Sequence, residues 1–152
     1  MTIDDASRLA FTSLHPDEHS SSACQALLQK LRYYPGLGIR FRLVMTDNGA
    51  CYRSEAFQRL CGRLGLKHIR TKPYIPCTNG KAERFIQTSL REWAYARSYE
   101  SSEQRAKHLP AWLHHYNWHR PYASLDYRPP ISRAGIPLNN VLGLHTVVDP
   151  NG

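Results

Sequence analysis

Asp47 is the first residue of this sequence that could do chemistry. Residues 39–45 alternate apolar and basic side chains and then become wholly apolar, as a strand entering the interior of a sheet does. Asp47 follows this segment, and Asn48-Gly49 continue it into a tight turn. Ligands of open α/β sheets bind at the carboxyl ends of strands, so Asp47 is a candidate ligand-binding residue. Taken alone, the same motif is also a common structural turn.

Glu83 is the second candidate, and it is an acid among bases. It falls in the first turn of a helix predicted over residues 80–98, between Lys81 and Arg84. A carboxylate there gains about 0.3–1 kcal/mol from the helix dipole, which is a structural reason for one acid. Yet 35 residues separate Glu83 from Asp47, and groups that could hold phosphates surround the pair. These groups are Lys72, Asn79, Lys81 and Arg84.

The charge of the chain is distributed unevenly. Residues 1–50 carry five basic and five acidic side chains, whereas residues 51–152 carry fifteen and seven, so the second part holds the net charge of +8. A one-sided positive field attracts polyanions, and nucleic acid first among them. A basic surface that only keeps the protein soluble is the alternative that charge leaves open.

Composition points to a cytosolic globular protein. Hydrophobic content is 41% and charged content 21%, as in folded domains. No apolar run approaches the roughly 18 residues of a membrane span, and the acidic start of the chain is unlike a signal peptide. We therefore expect no membrane partner. The cysteines lack CxxC spacing and are expected to be reduced thiols: Cys24, Cys51, Cys61 and Cys77.

Strands and helices alternate along the first seventy residues, which predicts an α/β domain with helices packed on a sheet. The predicted strands cover residues 2–5, 8–14, 39–45 and 66–71, and the predicted helices cover residues 15–34, 54–65, 80–98 and 102–118. Ser54 and Gly65 are the expected cap and stop of the second helix. Pro110 is expected to kink or split the last helix.

Two apolar stripes predict how the last two helices pack. The stripe of the first contains Ala82, Phe85, Ile86, Leu90 and Trp93, and that of the second contains Leu109, Trp112, Leu113 and Tyr116. Trp93 and Trp112 are thus core residues by prediction, whereas Trp118 is left open between packing and stacking on bases. His115 and His119 have a spacing that could bind zinc, but no third ligand follows, and a helix-ending turn is the preferred interpretation.

Three ordered motifs carry a resemblance to a known family. "TDNG" at Asp47, "NGKAERF" at Glu83 and the tail "YNWHRPYASLDYRPPISR" resemble the catalytic core of bacterial insertion-sequence transposases of the retroviral-integrase type. In that family an Asp-Asp-Glu triad holds two divalent metal ions, and 35 residues separate the last two acids. The resemblance implies a ribonuclease H-like α/β fold with C-terminal helices, and extends over essentially the whole chain.

The resemblance also implies a function. Asp47 and Glu83 would be catalytic metal ligands for Mg²⁺ or Mn²⁺, two ions in the intact enzyme, and the substrate would be DNA at the element ends and the target. The implied DNA-binding residues are Asn48, Lys72, Asn79, Lys81, Arg84 and Gln87. The intact transposase would act as a homo-multimer in the bacterial cytoplasm, at the nucleoid. Relatives carry a base seven residues after the glutamate, where this chain has Leu90, so Arg91 receives no role.

The first acid of the triad lacks a counterpart in this sequence. Asp4 and Asp5 match the turn after the family's second strand, so we expect them to be turn residues. The chain is thus expected to lack its first strand, with an incomplete catalytic core over residues 1–120 and an irregular Pro-rich tail over 121–152. We expect it to be inactive by itself. The alternatives are an inactive remnant that binds DNA or interferes with transposase, and an unrelated basic binding module.

Overall fold

The structure is a computed structural model that describes residues 1–71 and 80–134. In chain order its helices and strands are β1 (Thr2–Ile3), β2 (Ala10–Phe11), α1 (Ser20–Tyr33), β3 (Leu43–Thr46), α2 (Ala50–Arg53), α3 (Glu55–Arg63), β4 (Lys67–Arg70), α4 (Gly80–Ser89) and α5 (Ser102–Trp118). These elements fall into two compact units. The first unit contains residues 1–12 and the described residues from 81 onward, and the second contains Ser13–Gly80. None of the described helices is long and apolar enough to cross a bilayer.

The second unit is a parallel strand pair covered by helices. β3 pairs with β4 in a register that sets Leu43 opposite Lys67 and Thr46 opposite Arg70. A parallel pair needs a crossover connection, and α2 with α3 provides it. The core of this unit consists of Leu27, Phe57, Cys61 and Leu66.

The prediction that residues 43–45 enter a sheet interior was wrong. Val44 packs against the core of the second unit, but the side chains of Leu43 and Met45 are 41% and 44% exposed. Side chains of a strand alternate between its two faces. Only one face of this two-stranded sheet meets the core of its unit, so the neighbours of Val44 stay outside it.

Helix α1 begins later than its sequence pattern predicts. The Asp17 carboxylate accepts hydrogen bonds from the backbone N–H of His19 at 3.0 Å and from the hydroxyl of Ser22 at 2.6 Å. These bonds hold the residues before Ser20 in a capping turn, because Asp side chains compete with the helix for backbone donors. They also lower the pKa of Asp17, with the bond from Ser22 as the largest cause.

Helix α3 begins and ends as its sequence predicts. The Ser54 hydroxyl accepts a hydrogen bond from the N–H of Phe57 at 3.3 Å, which satisfies one of the donors left free at a helix start. After the helix, Gly65 has a left-handed backbone with φ +66°. Glycine adopts this conformation without the steric cost that a Cβ imposes.

The first unit joins an N-terminal hairpin to the two long helices. β1 and β2 are antiparallel, with Ile3 opposite Ala10. Asp4 lies in the turn between them, where its carboxylate accepts hydrogen bonds from the N–H and hydroxyl of Ser7 at 2.8 and 2.7 Å. This confirms the turn role of Asp4. The core of the unit contains Ala10, Phe85 and Tyr116, and an adjoining cluster contains Trp93, Ala94 and Leu109.

Helix α4 differs from its predicted length and buried face. It ends at Ser89 and continues as one π-helical turn, Leu90–Ala94. Phe85, Ser89 and Trp93 are buried at intervals of four residues, whereas the exposed fractions of Ile86 and Leu90 are 40% and 39%. The predicted stripe of apolar residues is thus displaced, because the buried face includes the small polar Ser89 in place of Ile86 and Leu90. The Ser89 hydroxyl donates to the carbonyl of Ile86 at 2.7 Å, so its burial leaves no donor unsatisfied.

Helix α5 has the predicted bounds and runs through Pro110 as one helix. Of the two expected effects of Pro110, the split does not occur, and the kink stays a prediction. Trp112 stacks with Phe85 and with Trp93 at centroid distances of 5.9 and 6.3 Å, which confirms its core role. Trp118 stacks on His114 at 5.8 Å. Two 3₁₀ turns, Ala123–Leu125 and Pro130–Arg133, follow.

Candidate active site

Asp47 lies where the sequence predicts, directly after the carboxyl end of β3, and it is exposed. One carboxylate oxygen, Oδ1, accepts a hydrogen bond from the N–H of Gly49 at 2.8 Å. Within the described ranges the Asp47 side chain makes no ion pair, so its charge is not neutralised there. Free carboxylate oxygens are the donors that hard divalent cations prefer.

Gly49 sets the position of the Asp47 carboxylate. A Cβ on Gly49 would lie 3.0 Å from Asp47 Oδ1, closer than side chains normally approach. Its φ is −52°, a conformation open to any residue, so a larger residue here would act by displacing the Asp47 carboxylate and not through backbone strain. The "DNG" motif therefore leaves room for the acid as well as making a turn.

A short chain of hydrogen bonds fixes the backbone at Asp47. The Thr46 hydroxyl donates to the carbonyl of Asp47 at 3.0 Å, and its oxygen lies 2.9 Å from Nε2 of His68. Because the hydroxyl proton is used, Nε2 of His68 must be the donor in the second bond. Burial, and then the charge of Arg70, lowers the pKa of His68, so the ring is neutral at pH 7.

Asn48 supports the same turn. Its side-chain N–H donates to the carbonyl of Thr71 at 2.7 Å, which ties the end of β3 to the residue after β4. The amide is thus engaged in the second unit, and its predicted DNA contact stays a prediction.

Glu83 lies in the first turn of α4, as predicted, and is exposed. Within residues 1–71 and 80–134 its carboxylate has neither an ion pair nor a hydrogen bond. The neighbouring bases therefore do not neutralise it, although they adjoin it in sequence. Asp47 belongs to the second unit and Glu83 to the first.

The bases around Glu83 differ in what they contact. Nζ of Lys81 lies 2.5 Å from Oδ1 of Asp5 and also donates to the Asp5 carbonyl at 3.3 Å. Asp5 is thus a partner of Lys81 in the hairpin turn, which agrees with its predicted turn role. Arg84 is exposed and unpaired among the residues that the structure describes, so its guanidinium is available to an external anion.

Of the remaining predicted DNA-binding residues, one lies within the described residues and two lie outside them. Gln87 follows Arg84 by three residues, and both line a groove between α4 and the turn after α5. Lys72, Asn79 and Cys77 lie outside the described residues, so their predicted roles stay predictions.

No three His, Cys, Asp or Glu side chains within residues 1–71 and 80–134 form a group that could hold a metal ion. At the end of α5, His119 lies beside His114, with 3.2 Å between their Nε2 atoms.

Sequence reasoning left other residues of this groove without a role. Arg91 and Tyr127 line it together with Arg84 and Gln87. The spacing of Arg84, Gln87 and Arg91, which are three and four residues apart, places them on one helical face and was available in the sequence. Tyr127 had no such signal, because its place beside α4 depends on how the tail folds back.

Comparison with known proteins gives the family. Residues 1–76 match one family described as integrase core domain, and residues 64–130 match a second family with the same description. Among curated proteins, the chain is 37% identical over 87 residues to the transposase InsD for insertion element IS2A/D/F/H/I/K of Escherichia coli. That match covers 57% of this chain and 29% of the relative. The putative transposase InsD for element IS2E of E. coli K12 is equally similar, with 39% of its length covered.

Solved structures show the same fold at low sequence identity. The BIV integrase catalytic core has a TM-score of 0.67 and 22% identity, over 97% of this chain and 87% of that one. A simian T-cell lymphotropic virus intasome chain has a TM-score of 0.70 and 23% identity, over 90% of this chain and 47% of that one. The HTLV-2 integrase core solved with magnesium has a TM-score of 0.63 and 20% identity, over 86% and 79%. The predicted ribonuclease H-like α/β fold is confirmed.

The chain spans well under two thirds of the length of the curated relatives it matches. One family match extends over half of the chain, the second covers most of the remainder up to residue 130, and the fold is that of the solved integrase cores. The chain therefore belongs to the integrase core domain family, and its curated relatives are insertion-element transposases.

Proposed function

We propose that this chain is the catalytic-core part of an insertion-sequence transposase, which joins DNA 3′-hydroxyls at the element ends to target DNA. The single observation that carries the proposal is the exposure of the Glu83 carboxylate and its lack of an ion pair with the described bases. Glu83 is an exposed carboxylate among bases, and none of the described bases pairs with it. Side chains three or four residues apart face each other on a helix, and the residues at these positions after Glu83 are Ile86 and Gln87, so no base of α4 is placed to neutralise it.

The donor chemistry of the two acids fits a magnesium or manganese ion. Asp47 and Glu83 both offer exposed carboxylate oxygens without ion pairs among the described residues, and hard cations prefer such oxygens. We propose that both side chains are metal ligands. When bound, a pair of ions would stabilise the charge on the attacking and leaving oxygens of the phosphodiester exchange.

The other residues of the chain position these acids and bind the substrate. The Thr46–His68 hydrogen bonds and the space left by Gly49 hold Asp47, so its carboxylate needs little reorganisation to bind a cation. Arg84 and Gln87 would contact DNA phosphates, because they are exposed on α4, the helix that carries Glu83. Lys72, Asn79, Lys81 and Asn48 are further proposed DNA contacts, and the intact transposase would be a homo-multimer that works in the cytoplasm, at the nucleoid.

We also propose that the chain alone binds metal weakly and does not transfer strands. The family uses three acids, and the described residues contain no group of three possible ligands. Each missing carboxylate removes one negative charge from the ligand set of a doubly charged ion. Efficient strand transfer by the purified chain would contradict this part of the proposal.

Metal binding can be tested without any catalytic readout. Fe²⁺ in place of Mg²⁺, with ascorbate and peroxide, cuts a polypeptide next to the bound ion. We expect cuts near residue 47 and near residue 83 in the full chain, both suppressed by excess Mg²⁺. Absence of cuts near either residue would overturn its proposed role as a metal ligand.

Matched variants make the metal test specific. Asp47→Asn and Glu83→Gln should each weaken Mn²⁺ binding at least about tenfold, because each removes a charged ligand. Glu103→Gln is the control, since Glu103 also stands in the first turn of a long helix. If Glu83→Gln and Glu103→Gln changed Mn²⁺ affinity equally, Glu83 would be no more than a first-turn acid that interacts with the helix dipole, and its role as a ligand would be refuted.

Catalysis can be tested in a chimaera. The matching 87-residue segment of the E. coli transposase InsD for IS2 is replaced by that of this chain, and joining of IS2 ends is measured. The chimaera should join ends, and Asp47→Asn or Glu83→Gln within it should lower the rate by more than about 100-fold. Full activity of either variant would refute the proposed catalytic role.

A further inference from the structure

A groove of about 490 Å³ lies on the first unit, between α4 and the turn after α5. Its lining residues are Arg84, Gln87, Thr88, Arg91, Arg120, Pro121, Tyr122, Ala123 and Tyr127. We call it the arginine groove. It contains three guanidinium groups and no carboxylate among its lining residues, so its charge favours an anionic occupant.

The three arginines are not equivalent. Arg120 is held by the Glu92 carboxylate through hydrogen bonds of 2.9 and 3.2 Å, and it lies over the ring of Tyr122 at 5.9 Å. Arg91 approaches the same carboxylate only to 3.6 Å, and its side chain is 75% exposed. Arg120 therefore stabilises the wall of the groove, whereas Arg84 and Arg91 keep their donors available for a ligand.

Tyr127 provides an aromatic face at the same groove. Its side chain is 76% exposed, although a large aromatic ring gains much by burial. The backbone nevertheless fixes it: Asp126 and Tyr127 have φ values of +55° and +59°, and the N–H of Tyr127 donates to the carbonyl of Tyr122 at 3.1 Å. Leu125, which is buried, anchors this turn.

The position of Tyr127 is thus determined by the turn and not by contacts of its own ring. A bulky residue with positive φ is uncommon, and such outliers concentrate where function requires a side chain in one place. An exposed ring beside exposed arginines is the combination with which proteins hold unpaired bases and the phosphates next to them.

We propose that the arginine groove binds a DNA strand with an unpaired base, which stacks on Tyr127 while Arg84 and Arg91 contact the adjoining phosphates. This deepens the proposed function and rests on it, since it assumes that DNA is the substrate. It adds the form of the substrate: a single strand or a frayed end, in preference to a continuous duplex. It also gives roles to Arg91 and Tyr127.

The experiment measures binding of the full chain to three labelled DNAs by fluorescence anisotropy: a single strand, a blunt duplex, and the same duplex with three unpaired bases at one end. Tyr127→Ala should weaken binding of the two DNAs with unpaired bases by about 5- to 100-fold, the range that base stacking on aromatic side chains gives. Its effect on the blunt duplex should be less than twofold.

Two control variants isolate the ring. Tyr127→Phe keeps the aromatic face and should bind like the unchanged protein. Tyr95→Ala removes a tyrosine that is 74% exposed but does not line the groove, and it should have no effect. Equal losses for Tyr127→Ala and Tyr127→Phe would assign the effect to the hydroxyl and overturn stacking.

Arg91→Gln tests the phosphate contact. The plot of log K against log salt concentration has a negative slope, and loss of one phosphate contact should make it less steep, by about 0.7 for the single strand and about 0.9 for the duplex. An unchanged slope would overturn the role of Arg91, as would the same change in Arg97→Gln, which lies outside the groove. Absence of any DNA binding by the chain would overturn the whole inference.

The outcome separates this inference from the proposed function. If Tyr127→Ala binds all three DNAs normally while Asp47→Asn stops strand transfer in the InsD chimaera, the groove proposal fails and the catalytic proposal stands. If the chimaera variants keep their activity but Tyr127→Ala loses single strands, the chain binds DNA without the proposed chemistry.

Discussion

At the scale of single residues, the partners of a charge matter more than the number of charges nearby. Lys81 and Glu83 lie two residues apart in the first turn of α4, and the ammonium of Lys81 contacts Asp5. Exposed ion pairs contribute only about 0–1 kcal/mol, so this pairing is a weak source of stability. Its consequence is local: Lys81 has a carboxylate other than Glu83 as its neighbour, and the charge of Glu83 stays available to a cation.

Lys30 leads to a prediction at the same scale. Burial lowers its pKa to about 8 from an ordinary value of 10.5, because the charged ammonium on α1 loses water on folding. Below pH 8 the group is charged in both states, and the full cost of burial is present. Between pH 8 and 10.5 the folded state binds fewer protons than the unfolded state, so this contribution makes stability rise with pH.

Lys30→Met should therefore stabilise the protein by about 1–2 kcal/mol at pH 7, after allowing for the partial exposure of the residue. The gain should shrink at pH 9.5, where the unchanged protein has lost much of the penalty. Urea denaturation at both pH values measures this. Taking the difference between the two proteins cancels other titrations, including those of the Cys24 and Cys61 thiols, whose pKa values are raised by burial.

The exposed Lys107 of α5 provides the matched control. Lys107→Met should change stability by less than about 0.5 kcal/mol at either pH. A gain for Lys30→Met that does not depend on pH would mean that added apolar surface, and not relief of a buried charge, is responsible.

At the scale of elements, two glycines of one helix should respond in opposite directions. Gly62 is inside α3 and Gly65 ends it with φ +66°, and a Cβ at either position meets nothing within 4 Å. Only backbone conformation therefore distinguishes the two substitutions. Gly62→Ala should stabilise by about 0.5–1 kcal/mol, and Gly65→Ala should destabilise by about 1 kcal/mol. Urea denaturation of the two variants checks the signs, and effects of equal sign would contradict the assigned helix end.

Asn117 joins two elements that are distant in sequence. Its side-chain oxygen accepts from the N–H of Ala10, and its amide donates to the carbonyl of Ala10, both at 2.8 Å, with the side chain buried. The side-chain amide of Asn117 thus pairs with the backbone of Ala10 as a neighbouring strand would, and it links β2 to α5. It also gives a structural reason for the "YN" in the tail motif.

Asn117→Ala should cost about 2–4 kcal/mol, because it leaves a buried donor and a buried acceptor of Ala10 without this partner. Thermal and urea denaturation measure the loss. His115→Ala, on the exposed side of the same helix, controls for changes in helix propensity and should be near neutral. A loss below 1 kcal/mol for Asn117→Ala would show that water replaces both bonds.

Local signals explain which elements the sequence predicts correctly. Ser54 and Gly65 bracket α3, and the bounds of α5 follow from a cap and a helical pattern, so both helices were predictable. The start of α1 and the buried face of α4 were not, because they depend on the contacts of Asp17 and on the burial of the small polar Ser89. The positions of Asp47 and Glu83 follow from motifs. The arginine groove does not, since the tail must first fold back on α4.

At the scale of the whole molecule, DNA binding could be governed by the general positive field or by contacts of particular arginines, and the two cases predict different effects of mutation. The net charge of +8 arises entirely from residues 51–152, while residues 1–50 are balanced. If the general field of the protein governed DNA binding, removal of any two exposed bases would weaken it to a similar extent. If DNA contacts particular arginines, only their removal releases fewer counterions from the phosphates.

A pair of double variants with equal charge distinguishes these cases. The double variant Arg84→Gln with Arg91→Gln should reduce the magnitude of the negative slope of log K against log salt by about 2 for duplex DNA, because two phosphate contacts are lost. Arg40→Gln with Arg42→Gln removes the same charge from two exposed residues of the balanced part and should leave the slope unchanged. Anisotropy titrations between 50 and 200 mM salt, about the range over which counterion release dominates, measure both. Equal slopes would mean that DNA follows the field of the whole molecule, and the located contacts on α4 would have to be abandoned.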